Sequence, residues 1–428
     1  MSRIENPREA IKDDSTGIFC LSIMCQYGLL TFFLFIHNYF LNLKINKGWE
    51  QRKLGETLTG FEYGLNTPAT DYDGINKYLR ITDIDDVSHK FDTSHLTSPK
   101  LKDDNYLLAY GDILFARTGA SVGKSYRYSN IDGKVYYAGF LIKAHIKDHF
   151  STNFIFDTTL LPRYHYFVQV TSMRSGQPGI NAKEYQKYII YTPSENEQNK
   201  ISDLVLTIQN LIDLQQRKVK QLKQLTKAML QQLLANQSFP KVRFNDFKDS
   251  WKDYRLGEVF DEFSVKSKKE NEYKLLSSTT SGMESRSGRV SGHSNIGYKV
   301  IDNGDIVLSP QNLWLGNINL NNMGKGIVSP SYHTFKIVNA NPIFVNFQLK
   351  TKKMLFEYKM VSVQGASVVR RNLDMDAFKK IVIKIPNEKE QIKIASLFSS
   401  ISNIINNHQN KLTQLTTLKK YLLQKLFI

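Results

Sequence analysis

The sequence predicts an α+β, mixed fold: two sheet-rich α/β domains in a pseudo-two-fold tandem repeat, separated by two long antiparallel coiled-coil helices. Three observations predict it. First, Pro193-Ser-Glu-Asn-Glu-Gln-Asn-Lys-Ile201 returns as Pro386-Asn-Glu-Lys-Glu-Gln-Ile-Lys-Ile394, and Gly111-Asp-Ile-Leu114 returns as Gly304-Asp-Ile-Val307, both after the same 193 residues (386 minus 193, 304 minus 111). A period held in register over so long a stretch marks a duplicated structural unit. Second, short runs of alternating apolar residues bounded by glycine and serine lie between the repeated motifs, the pattern of half-buried strands. Third, each copy closes on a glycine- and proline-free segment of about forty residues with apolar side chains at steps of three, four and seven, the spacing of a coiled-coil seam.

From the amino terminus, residues 1–48 form an atypical apolar segment. Gly17 to Leu43 is long enough to span a bilayer at about 20 residues. Against an anchor, Asp13 and Asp14 precede it and Gln26, His37 and Asn38 interrupt it, so it reads as a replaced or misread start. The first domain is expected over 49–194 and the second over 237–387. Each opens on a matching hook, Trp49-Glu-Gln-Arg-Lys-Leu-Gly-Glu56 and Trp251-Lys-Asp-Tyr-Arg-Leu-Gly-Glu258. Strands are expected at Tyr78–Ile84, Tyr188–Tyr191, Thr334–Val338 and Ile381–Ile385. Ser277 to Gly292 reads as a long basic loop.

The long helices are expected at 195–236 and 388–428. Pro193 and Pro386 stop the strands before them, Ser194 and Asn387 suit the N-cap, and Glu195, Glu197, Glu388 and Glu390 suit the positive end of the helix dipole. The seam reads Ile201, Leu204, Ile208, Leu211, Leu222, Leu225, Met229 and Leu233 on the first helix, and Ile394, Leu397, Ile401, Ile404, Leu415, Leu418, Leu422 and Leu426 on the second. At 1.5 Å per residue each rod is roughly 60 Å long, and two such stripes hide each other best in antiparallel order.

Composition narrows the function. With 41% apolar and 12% aromatic residues each copy can bury a core, and 57 Lys plus Arg against 40 Asp plus Glu give a net charge of +17, which favours a polyanionic partner. The two cysteines, Cys20 and Cys25, cannot staple the fold, and the default compartment is a reducing cytoplasm. Ala116-Arg-Thr-Gly-Ala-Ser-Val-Gly-Lys-Ser125 imitates a phosphate loop, but three residues separate its glycines where four are needed. His89, His95, His145, His149 and His165 lack metal-ligand spacing and read as strand or surface residues. No hydrolase, metalloprotease or amino-methylation motif is present, so no catalytic residue is assigned.

The hooks, the Gly-Asp-Ile turns, Gly111-Asp-Ile-Leu-Phe-Ala-Arg-Thr-Gly, Gly176-Gln-Pro-Gly-Ile-Asn181, Gly365-Ala-Ser-Val-Val-Arg-Arg-Asn-Leu373 and the doubled Pro-x-x-x-Glu-Gln-x-Lys-Ile together resemble the specificity subunit of type I restriction-modification enzymes over residues 49–428. The resemblance implies two target-recognition domains, each reading one half of a bipartite double-stranded DNA site, held apart by the helix pair. It also implies two methyltransferase subunits docked on that pair and restriction and translocation subunits beyond them. S-adenosylmethionine, ATP and Mg then belong to those partners, with no cofactor, metal or small-molecule substrate in this chain. One departure is the lead-in Arg243-Phe-Asn-Asp-Phe247 of the second copy, which has no counterpart ahead of Trp49.

Base edges and phosphates are contacted by cationic and amide side chains. The candidates are Arg117, Thr118, Ser121, Lys124, Arg174 and Gln177 in the first domain, and Arg286, Arg289, Gln311, Asn312, Arg370 and Arg371 in the second. The alternative from another class is a membrane-tethered coiled-coil scaffold anchored by Gly17–Leu43.

Overall fold

A computed structural model of the chain describes residues 48–173, 178–234, 236–286, 294–364 and 370–427. The run Gly17–Leu43, both cysteines, and the candidates Arg174, Gln177 and Arg289 lie outside the described residues. Two compact units emerge: one combines the chain up to Leu214 with the stretch from Leu412 onward, the other is Gln215–Lys411.

Each unit is built on a four-stranded antiparallel sheet with the same wiring. In the first the order is Leu58–Tyr63, Leu141–Ile146, Asp112–Ala116, Ser125–Arg127. In the second it is Phe260–Phe263, His333–Ile337, Ile306–Leu308, Ile318–Leu320. A parallel pair accompanies each sheet, Lys77–Leu79 with Val135–Tyr137 and Lys274–Ser278 with Gly326–Val328. The strand Asp112–Ala116 is buried at every position, which is why Ile113–Ala116 is a continuous apolar run rather than an alternation.

The repeated motifs are structural devices. Gly111 and Gly304 have φ of +97° and +95°, a region that favours glycine. The tight turn lets Asp112 Oδ2 accept the Ala109 N–H at 2.7 Å and Asp305 Oδ2 accept the Asp302 N–H at 2.7 Å. The other carboxylate oxygen faces the adjacent strand, where His145 Nδ1 stands 2.8 Å from Asp112 and Lys336 Nζ 3.2 Å from Asp305. Each Gly-Asp pair therefore fixes where the central strand begins.

The hooks and the helix starts are joined to each other. Glu50–Lys53 pairs antiparallel with Ile189–Thr192, and Lys252–Arg255 with Val382–Ile385. Leu54 and Leu256 follow, fully buried, with their N–H groups on the carbonyls of Tyr188 and Ile381. Gly55 admits Gln186 so closely that a methyl group there would stand 3.1 Å from its Cβ. Beyond the prolines, Gln198 Nε2 donates to the Pro193 carbonyl at 2.9 Å and its Oε1 accepts the Ser151 N–H at 3.0 Å. Gln391 repeats the stitch on Pro386 (2.9 Å) and Asn341 (2.7 Å). Both glutamines are buried and satisfied, so the Glu-Gln signature ties the helix start to the sheet domain.

The long helices are Glu195–Leu233 and Glu388–Leu426, 39 residues each. Asn387 caps the second by accepting the Glu390 N–H at 3.0 Å. In the first unit Ile201, Ile208 and Leu211 share one core with Leu415, Leu418, Leu422 and Leu426, and Leu204 packs against it. Their order is antiparallel: Lys419 Nζ donates to Gln209 Oε1 at 2.7 Å, and near the start of the first helix Glu197 holds Trp49, which packs edge-on against Phe154, itself stacked on Phe427. In the second unit Leu233 shares a core with Ile394, with Met229, Leu397 and Ile401 packed on it, while Gln215 faces His408.

Three expectations need correction. Leu225 and Ile404 stand 51% and 46% exposed, outside the seam, whereas Val205, Ile212, Phe398 and Leu423 are buried, Phe398 against Phe347 of the sheet domain. A straight helix turns every 3.6 residues, so its buried stripe drifts from a strict 3.5 repeat, and packing against the sheet domains widens it. Tyr78–Ile84 is a strand only to Leu79; Arg80 then clamps Asp83 through Nε and Nη2 at 2.8 and 2.9 Å, forming the 3-10 turn Ile81–Asp83. The Ser277–Gly292 stretch begins as a hairpin, in which Lys274–Ser278 pairs antiparallel with Met283–Ser285.

Candidate functional site

In each unit the loop that leaves the central strand is zipped to a loop that arrives much later in the chain. After Ala116, Arg117 O accepts the Ile180 N–H at 2.9 Å, Thr118 bridges to Gly179, and Gly119 N–H donates to Pro178 O at 3.0 Å. After Leu308 in the second unit, Gln311 O accepts the Arg371 N–H at 3.1 Å. The sequence candidates Arg117 and Thr118 thus sit against the late loop of their domain, and Gln311 against Arg371. A 3-10 turn, Leu313–Leu315, shapes the second loop, with the Asn312 carbonyl accepting from Leu315 and Asn317.

Each loop pair carries a guanidinium laid on an aromatic face. Arg117 lies 5.1 Å from the ring centre of Tyr63 and Arg371 5.6 Å from that of Trp314. A cation–π contact restrains the guanidinium while leaving N–H groups free to donate, which suits base edges and phosphates. Arg370 and Arg286 are exposed, the latter just beyond the hairpin strand Met283–Ser285.

Other candidates are committed inward. Lys124 Nζ donates to the Ile84 carbonyl at 2.9 Å and pairs with Asp86, with its side chain only 12% exposed. Ser121 is half-buried and its carbonyl accepts the Lys124 N–H. Gly123 has φ of +85°, and a methyl group there would collide with Val168. The segment that imitates a phosphate loop is a tight turn packed on the helix Pro162–Ser172.

Sequence reading missed Tyr63, Trp314 and Phe140. Tyr63 ends the strand Leu58–Tyr63 and is followed by Gly64, a strand-end signal; isolated aromatics otherwise read as core. Together with Arg80, Arg117 and Phe140, Tyr63 lines an open cleft of about 1140 Å³ in the first unit. Behind the Gln311 loop, Ser278, Asn317 and Asn319 form a buried hydrogen-bonded network, and Lys350 Nζ donates to Asn319 Oδ1. Burial pushes the Lys350 ammonium down to about 8. Among the described residues no three His, Cys, Asp or Glu side chains gather to hold a metal ion, and no helix is long and apolar enough to cross a membrane.

A sequence model of the family described as type I restriction modification DNA specificity domain matches residues 46–224 and again 248–417. The chain belongs to that family. Each match covers one structural repeat, so the chain carries two specificity domains, each with its own loop pair. Among solved structures, the type I restriction-modification system S subunit from M. genitalium is similar at 14% identity and a TM-score of 0.60, over 90% of this chain and 98% of that one. A chain from a structure on complex assembly and conformational transition of the type I R-M system is similar at 15% identity and a TM-score of 0.50, over 89% and 97%. At these identities the likeness concerns the fold. As a member of the specificity family, the chain is a DNA-reading component rather than a catalytic one.

Proposed function

We propose that this chain reads a bipartite duplex site, one half-site per repeat, and directs adenine methylation and restriction carried out by partner subunits. Two methyltransferase subunits and the restriction and translocation subunits supply S-adenosylmethionine, ATP and Mg; this chain supplies recognition. The observation that carries the reading is that each repeat sets a guanidinium against an aromatic ring where its two loops meet, Arg117 of the early loop on Tyr63 and Arg371 of the late loop on Trp314. Gln311, Arg370 and Arg286 add amide and cationic donors to the second copy, and Thr118 adds a hydroxyl to the first. Arg174, Gln177 and Arg289, which lie outside the described residues, are further candidates for the same role. The 39-residue helices set the number of base pairs between half-sites.

The test is the map of modified adenines in the host genome with and without this gene. A two-part motif that disappears on deletion is expected. Arg117→Ala should then relax one half and Arg371→Ala the other, each by roughly 5- to 150-fold, the worth of a good bidentate contact at about 1–3 kcal/mol. An unchanged map on deletion sinks the reading.

A further inference from the structure

We propose that Phe140 is a stacking wedge that packs on a base step of the first half-site beside Arg117, an inference that rests on the function proposed above. Phe140 is large, apolar and 61% exposed. Its exposure is not that of a loose loop. The Phe140 carbonyl accepts the Arg117 N–H at 3.1 Å, Gly139 N–H donates to Leu65 O at 2.9 Å, and Leu141 N–H donates to Ala138 O at 2.9 Å. Gly64 opposite the turn has no room for a side chain, because a methyl group there would collide with the Ala138 carbonyl. The backbone is thus pinned on both sides while the ring is held out of the core.

Phe140 lines the same cleft as Tyr63, Arg80 and Arg117. At about 1140 Å³ that cleft exceeds the roughly 300–1,000 Å³ of small-molecule pockets and is open, as the edge of a polymer requires. Arg80 is already committed to Asp83, so Arg117 is the cation that faces the ligand there. An exposed aromatic on a rigid turn beside a guanidinium is the equipment by which proteins unstack or stack on bases.

The second repeat shows that the fold does not require this ring. Asp112 faces His145 and Asp305 faces Lys336, so Phe140, five residues before His145, corresponds to Ser331. Ser331 is exposed and carries no ring. A feature needed for packing would recur; this one is specific to what the first domain reads.

The assembled complex with wild-type chain, Phe140→Ala, Phe140→Leu and Phe140→Trp should be compared by mapping modified adenines in cells and by competition binding to the duplex that the wild-type map returns. Phe140→Ala and Phe140→Leu should each weaken binding about 5- to 150-fold and blur one half-site, leaving the other half-site and the gap unchanged, and Phe140→Trp should restore both. Phe140→Leu keeps an apolar side chain, so its failure to bind with an unchanged thermal melt separates stacking from folding. Leucine can still wedge a base step but cannot stack as a ring does, so Phe140→Leu with wild-type affinity and motif overturns the stacking proposed here. A wild-type map without a motif that depends on this gene overturns the function instead, which keeps the two failures apart.

Discussion

Nδ1 of His408 donates to Oε1 of Gln215 at 2.7 Å, and the two residues are 193 positions apart, so the same position of each long helix meets its counterpart. Gln215 is buried, only 5% exposed. A polar pair between apolar layers fixes register, because any slip buries both groups without partners. Replacing Gln215 alone by Leu leaves the imidazole unpaired and should cost about 1–3 kcal/mol in urea unfolding. The double replacement Gln215→Leu with His408→Leu should recover most of that loss. A single substitution as mild as the double would show that the pair does not set register.

The two repeats solve the helix start differently. Glu390, fully buried, receives Arg243 through Nε and Nη2, both at 2.7 Å, whereas Glu197 receives the Trp49 indole N–H at 3.2 Å. With its glutamate taken, Trp251 Nε1 lies buried without a partner among the described residues. Arg243→Ala should therefore cost about 3–5 kcal/mol, as expected when a buried carboxylate loses its cation. Trp49→Phe should cost less, about 0.5–1.5 kcal/mol for its hydrogen bond. Chemical denaturation of the two variants at one pH checks the ranking, and Arg243→Met combined with Glu390→Leu should regain most of the first loss.

The glycines of the repeated Gly-Asp turn offer a paired comparison. Gly304 has open space around a would-be Cβ, so Gly304→Ala should cost only the strain of φ near +95°, about 1–2 kcal/mol. Gly111 adds a steric term, since its Cβ would stand 3.0 Å from His145 Cε1. Gly111→Ala should be the more damaging in thermal melts, and His145→Ala in that background should bring the two variants closer together. Equal melts for Gly111→Ala and Gly304→Ala would remove the steric argument.

What the sequence disclosed tracks how local the physics is. Gly111, Gln198 and Leu54 each act through neighbours fixed by the repeat, so their doubled spacing pointed straight to structural work. The stripe of the long helices was legible where it meets its partner helix and misleading at Leu225 and Ile404, because seven-residue spacing does not follow the drift of a straight helix. Lys124 looked available for phosphate because its neighbours in sequence are glycine and serine; Ile84, forty residues away, and Asp86 hold it inward. Tyr63, Trp314 and Phe140 carried no spacing signal at all, since an aromatic side chain is read as core until the fold exposes it.

Asp157 gives the chain a pH dependence that can be signed. It lies in the first unit beside a cavity of about 350 Å³ that Arg127 and Lys419 also line, and burial pushes its carboxyl up from 3.8 to about 7 despite those cations. Because the folded-state value exceeds the unfolded one, the neutral acid favours folding. That contribution is fully present below about pH 4 and is lost as the pH rises through about 7. Asp157→Asn keeps the shape without the charge. It should flatten stability between about pH 4 and 7 and stabilise the protein at pH 8, with roughly 4 kcal/mol as the upper bound set by about 1.4 kcal/mol per pH unit. Urea unfolding of wild type and variant at pH 5 and pH 8 checks this: the difference should be about two to three times larger at pH 8. A variant less stable than wild type at pH 8 would mean that the ionised carboxylate, held between Arg127 and Lys419, stabilises the fold it was expected to strain.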